Sequence, residues 1–263
     1  MNASRGEGRS LGARVHDVRA HRFVGRAAEQ KLFASMLTGE NPTAVLWVHG
    51  PGGIGKSTLL ERFADDSRAA GRRVVRLDCR DTGPSSDDFS AALDTASGGS
   101  GSPDMVVLVD AFEQCGHLET WFRKDFLPGL PADTIVVVAG RCPPEASWQA
   151  DIGWDGLLRV IALRNLSPRE AVSFLDAREV PAGLHDRLLA FTGGHPLALA
   201  LAAQVASADP PVGSAWTPGP DVIGTLLSAL VNAVPSAAHR HALEVCAHAY
   251  DTTEDLLRSV LDG

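Results

Sequence analysis

The chain has 263 residues, with 24 Lys and Arg against 32 Asp and Glu and a formal net charge of −8. A chain of this length buries roughly 70–75% of its unfolded surface, so it can build a core without disulfide or metal staples. The acidic balance argues against coating nucleic acid or an anionic membrane surface, and no apolar run reaches the roughly eighteen residues of a spanning helix.

Residues 1–20 carry Arg5, Arg9, Arg14 and Arg19 among Gly and Ser, and their composition predicts a disordered basic tail. Through Arg26 the segment holds a charge of +4, leaving −12 for the rest. From Arg26 to Leu37 the spacing of Leu32, Phe33, Met36 and Leu37 predicts a one-sided helix, ended by Asn41-Pro42. Ala44–Val48 is an apolar run of strand length leading into His49-Gly50-Pro51-Gly52-Gly53-Ile54-Gly55-Lys56-Ser57-Thr58, after which Leu59, Leu60 and Phe63 continue at helical spacing to Gly71.

Further apolar runs at Val74–Leu77, Met105–Val109, Ile135–Ala139 and Leu158–Leu163 alternate with helical stretches at Asp87–Ala96, Leu118–Phe126 and Pro168–Ala177. Near-continuous apolar strands alternating with helices predict an α/β fold whose five-stranded parallel sheet is sandwiched by helices. Ser97–Pro103 reads as a flexible surface loop. Beyond about Asn165 the strands stop. Ser167-Pro168-Arg169-Glu170 is a helix start, and helices follow at His185–Phe191 and Pro196–Val205. A Pro/Gly linker over 209–220 precedes helices near Val222–Val231, Ala237–Ala249 and Glu254–Leu261.

Lysine occurs only at 31, 56 and 124, so Lys56 within a glycine loop suggests chemistry that wants a compact ammonium rather than a guanidinium fork. Gly50-x-x-x-x-Gly55-Lys56-Ser57, between a strand and a helix, is the P-loop or Walker A pattern. Its backbone amides from Gly50, Gly52, Gly53, Ile54, Gly55 and Thr58 suit a polyphosphate, Lys56 suits the β- and γ-phosphates, and Ser57 suits Mg²⁺. Asp110 closes the third apolar strand as the Walker B carboxylate, the second magnesium partner through water. Glu113 is placed to orient or deprotonate a water, and Arg141, ending the fourth strand, to reach a γ-phosphate. Cys79, Cys115, Cys142 and Cys246 form no C-x-x-C pair, and His239 and His241 diverge on a helix, so neither set predicts a metal site.

These motifs resemble those of the STAND signal-transduction ATPases, an AAA-related, NB-ARC-like branch of the P-loop proteins that includes regulatory ATPases of an actinobacterial type. Phe23-Val24-Gly25-Arg26-x-x-Glu29 is similar to that family's adenine-holding motif, which implies base contacts for Val24 and Arg26. Gly194-His195-Pro196-Leu197-Ala198-Leu199 resembles its G-x-P-L-A-L lid motif, placing Pro196 beside a nucleotide, and Val138-Ala139-Gly140-Arg141 resembles its first sensor.

The resemblance implies a nucleotide-binding domain over 21–165, a helical lid over 166–208 and the opening helices of a winged-helix-like region over 221–263. It implies an ATP/ADP–Mg²⁺ switch of low turnover, with effector or sensor domains as partners and room for nucleotide-dependent assembly with further copies; the composition and lack of a spanning run predict a cytoplasmic chain. Two features depart from the pattern: Ala111 stands where many members carry a second Walker B acid, and no recognition helix or wing fits in the remaining length. The rival readings are a P-loop phosphotransferase acting on a small molecule and a fragment of a DNA-binding regulator. The acidic residues Glu244, Asp251, Glu254 and Asp255 argue against the latter.

Overall fold

The computed structural model describes residues 10–98 and 104–208. The linker and helices expected after Ala208 therefore lie outside the described residues, as does most of the Ser97–Pro103 loop.

Five strands, β1 (Val45–His49), β2 (Arg73–Asp78), β3 (Met105–Asp110), β4 (Ile135–Gly140) and β5 (Leu158–Ala162), form one parallel sheet in the order β2-β3-β4-β1-β5. Alternate residues of each central strand point to opposite faces. Val45, Trp47, Val107, Val109, Val136 and Val138 join one core cluster, with Phe89, Phe112, Phe122 and Trp148. Leu46, Val48, Val106, Leu108, Val137 and Ala139 join the other, with Phe33, Leu59 and Phe63. Covered on both faces, these strands show no polar alternation, which is why they read as unbroken apolar runs. β5 departs from that reading: it is the sheet edge, and Arg159, Val160 and Ala162 are exposed.

Helices α2 (Ala27–Leu37), α3 (Lys56–Ala69) and α4 (Ser86–Ser97) flank the sheet. A Ser85–Asp88 capping box starts α4. The stretch expected as helical over Leu118–Phe126 is helical in mixed form: a 3₁₀ turn, a single α turn α5 (Glu119–Trp121) and a π turn over Phe122–Phe126. Phe122 and Phe126 of this stretch pack edge-on against Phe89.

The expectation of disorder through residue 20 requires a second correction, because α1 (Leu11–His21) is helical. Leu11, Val15 and Val18 recur four and three residues apart, a helical period concealed in a sparse, Arg-rich composition. After β5, helices α6 (Pro168–Asp176), α7 (His185–Thr192) and α8 (Pro196–Ala208) pack around Ala171, Leu175, Leu188, Leu199 and Ala202 into a separate apolar cluster. The Ser167 side chain caps α6 and Glu170 reciprocates, the box visible in the sequence. Among the described residues no helix is long and apolar enough to cross a membrane.

Candidate functional site

The parallel register brings the carboxyl ends of the strands to one edge, where Asp78 lies opposite Asp110 and His49 opposite Gly140. Because β4 lies between β3 and β1, Arg141 follows the strand between the Asp110 strand and the glycine loop. Crevices at this edge of open α/β sheets are where ligands bind.

The loop from Gly50 ends at Gly55, whose left-handed backbone (φ 98°) turns the chain into α3 with open space where a Cβ would stand. No side chain caps α3. The first amides of a helix have no partner within it, so here they face outward as donors beside the positive end of the helix dipole. Lys56 Nζ donates to the carbonyls of Gly50 (2.6 Å) and Pro51 (3.0 Å). Burial lowers the Lys56 pKa, the charges of Glu113 and Asp110 raise it and that of Arg141 lowers it again, so all three meet Lys56 electrostatically. Ser57 and Thr58 are exposed at the helix start.

Asp110 is buried, and its Oδ1 accepts from the Ala111 amide at 2.8 Å. Ala111 occupies the left-handed region (φ 54°), a conformation that costs a non-glycine residue on the order of 1–2 kcal/mol. That turn redirects the chain into the short helix carrying Glu113, whose Oε2 accepts from the Arg141 amide while its Oε1 pairs with Arg141 Nε, both at 3.2 Å. Asp110, Glu113, Arg141 and Lys56, separated by up to 85 positions in the chain, thus form one charged cluster.

A cavity of about 680 Å³ opens beside this cluster, lined by Gly53–Thr58 and Glu61 from the loop and α3, by Phe23, Val24 and Arg26, and by Leu166, Phe174, Pro196 and Leu197 from the helical unit. Val24, Arg26 and Pro196 are therefore brought together at one cavity. The Arg26 head is nevertheless occupied by protein, its Nη2 donating to the Ile54 carbonyl at 2.9 Å, and the Arg26 backbone amide donates to Glu170 at 2.8 Å. Burial lowers the Arg26 pKa, and Glu29 and Glu170 pull it back up.

Sequence reasoning missed several participants. Glu170 was recognised as a helix cap, yet it also joins α6 to the Arg26 amide. Its spacing from Ser167 signalled the cap and nothing signalled the second bond. Asp78 and Arg80 form a close ion pair in which Arg80 also lies 3.9 Å from Asp110. The Asp78 carboxyl is held below the usual range chiefly by the hydrogen bond from the Arg80 side chain. A strand-ending acid beside a Walker B strand was the available signal. His195, inside a motif already singled out, bonds the loop itself, with its Nε2 3.2 Å from the Gly52 carbonyl. Val18, Arg19 and Ala20 of α1 also line the cavity, though the composition had assigned them to a tail.

The sequence profile of the family described as Nephrocystin 3, N-terminal, matches residues 26–97, from the Arg26 motif through α4. No curated protein matches the chain. Among solved structures, a point mutant of Thermotoga maritima RuvB superposes with a TM-score of 0.54 at 13% identity, over 91% of this chain and 83% of that one. The Thermotoga maritima RuvB Holliday junction branch migration motor superposes with a TM-score of 0.52 at 14% identity and the same coverage. Likeness at that level of identity carries the architecture, and the described α/β unit has the fold of a P-loop NTPase.

Proposed function

We propose that the chain is an ATP-binding regulatory switch of the STAND type that hydrolyses ATP slowly. The observation that carries this reading is the cavity itself: the uncapped start of α3 with Lys56 forms one wall, and Pro196 and Leu197 of the helical unit form the other. A ligand spanning it touches both units at once. The donors fit a magnesium-bound triphosphate: free helix-start amides and an ammonium for the phosphates, and an exposed Ser57 hydroxyl with the buried Asp110 carboxylate for the cation. Magnesium, when bound, supplies charge neutralisation between the phosphates.

The chain's own groups divide the remaining work. Val24, Phe23 and Pro196 offer an apolar slot for a base. Lys56 exchanges the Gly50 and Pro51 carbonyls for phosphate oxygens. Arg141 exchanges Glu113 for the terminal phosphate, which releases Glu113 to orient a water. The ion pair and the phosphate contact compete for one guanidinium, so ATP and ADP favour different arrangements, the requirement for a ligand-driven switch. Effector or sensor domains, or further copies of the chain, would read that difference.

A second reading, a phosphotransferase for a small molecule, is favoured by one observation. A cleft of about 430 Å³ lined by Asp78, Asp81, Thr82 and Asp110 borders the same strand edge. Phosphate release from ATP alone and with added sugars or nucleosides separates the two. The switch predicts slow release that no acceptor alters, whereas acceptor-dependent ADP formation without free phosphate contradicts it.

A further inference from the structure

Two adjacent glycines, Gly193 and Gly194, take left-handed backbones (φ 57° and 76°) and turn α7 into α8. Leu166 fixes the turn, because its amide donates to the Gly194 carbonyl at 2.9 Å and its carbonyl lies 2.5 Å from where a Gly194 Cβ would stand. The Asn165 side chain bonds the Gly193 carbonyl at 2.9 Å. His195 follows directly, so the lid determines where its imidazole points.

The Ala198 amide donates to His195 Nδ1 at 3.4 Å. An accepting Nδ1 carries no proton, so in the neutral ring the proton sits on Nε2, which donates to the Gly52 carbonyl at 3.2 Å. The contact is close-packed: a Cβ on Gly53 would lie 2.8 Å from Leu197 and 3.0 Å from His195 Cε1. All described peptide bonds are trans, and in a planar trans peptide the carbonyl and the next amide point in opposite directions. A Gly52 carbonyl turned to the lid therefore turns the Gly53 amide away from it. That amide donates to no protein acceptor among the described residues, and Gly53 lines the cavity.

The geometry points to His195 as a positioning residue: from the lid it holds the Gly52–Gly53 peptide so that the Gly53 amide faces the bound phosphates. This deepens the nucleotide reading and rests on it. Withdrawal of the lid frees the peptide to rotate, so lid position and the strength of the phosphate cradle are one equilibrium, and phosphate binding draws the lid closed without any contact from the base.

Inorganic tripolyphosphate is the probe, since it has no base or ribose for the lid to grip. In the full chain, His195→Ala is expected to weaken tripolyphosphate and ATP binding by the same factor, about tenfold. His195→Gln, whose amide can still donate to Gly52, should recover most of the loss. An Ala variant that melts like wild type and binds tripolyphosphate equally well overturns the assignment, as does one that loses affinity for ATP alone, which would make His195 a base-side packing contact. Should the Ala variant fold poorly, the ¹⁵N spectrum of wild type decides. His195 should show an Nε2–H tautomer and the Gly53 amide a large shift on adding tripolyphosphate, and an unmoved Gly53 amide overturns the assignment. Wild type binding neither probe removes the nucleotide reading and this assignment together; wild type binding both while His195→Ala matches it removes the assignment alone.

Discussion

At the scale of residues, the site is a competition among a few charges. The Glu113 carboxylate pairs with the Arg141 guanidinium and also accepts from the Arg141 backbone amide; on the proposed reading a terminal phosphate competes with Glu113 for that guanidinium. Arg141→Ala should therefore reduce ATP affinity towards that for ADP while leaving ADP affinity within about twofold; calorimetric affinities for the two nucleotides check this. Glu113→Gln should keep ATP binding and lower phosphate release by on the order of 10²-fold, measured under single turnover. Glu170 connects the lid to the Arg26 amide. Burial pushes its carboxyl up, but the bonds from Ser167 and Arg26 together outweigh burial and hold it below the usual range. A carboxyl lowered on folding contributes stability above its unfolded pKa of about 4.3 and loses that contribution as pH falls through the lower folded value. Chemical denaturation below about pH 4 should show this loss in wild type and a flatter profile in Glu170→Gln, whose amide oxygen can still accept from the Ser167 amide.

At the scale of elements, the P-loop was legible because its signal is compressed into eight residues between an apolar run and a helix. Strand positions were legible for a related reason, as burial on both faces leaves no alternation to confuse the reading. What escaped was set by contacts remote in sequence. The His195 bond to the loop spans 143 positions, and no spacing rule reports a partner so far away. Glu113 could be nominated as a nearby acid, but only the left-handed turn at Ala111 shows how it reaches Arg141. The helical stretch over Leu118–Phe126 was legible, while its passage from an α turn into a π turn at Phe122 had no signal in the spacing. The loop and lid elements meet at Gly53, whose φ of +74° and 2.8 Å approach of a Cβ to Leu197 leave no room for a methyl group. Gly53→Ala should cost about 1–2 kcal/mol in backbone strain, lower the melting temperature and separate lid from loop, reducing ATP affinity at least tenfold. Gly55→Ala, with open space at its Cβ, should show the strain without the steric effect on the lid.

At the scale of the whole molecule, the sheet order does what the separate motifs cannot. Placing β4 between β3 and β1 sets Arg141 between the Asp110 strand and the glycine loop. The helical unit then returns over that edge to complete a cavity that neither unit forms alone. Composition predicted an acidic body with a basic N-terminal segment; in the fold, part of that segment, Val18 to Ala20, becomes cavity wall, and Arg19 and Arg22 belong to the lining. The central claim is that this cavity holds ATP through Lys56. Calorimetric titration of the full chain with ATP and Mg²⁺, beside Lys56→Ala, tests it most directly. Wild type should show one saturable site and Lys56→Ala, melting normally, no measurable binding, whereas equal ATP affinity in the two proteins would contradict an ATP site built on Lys56.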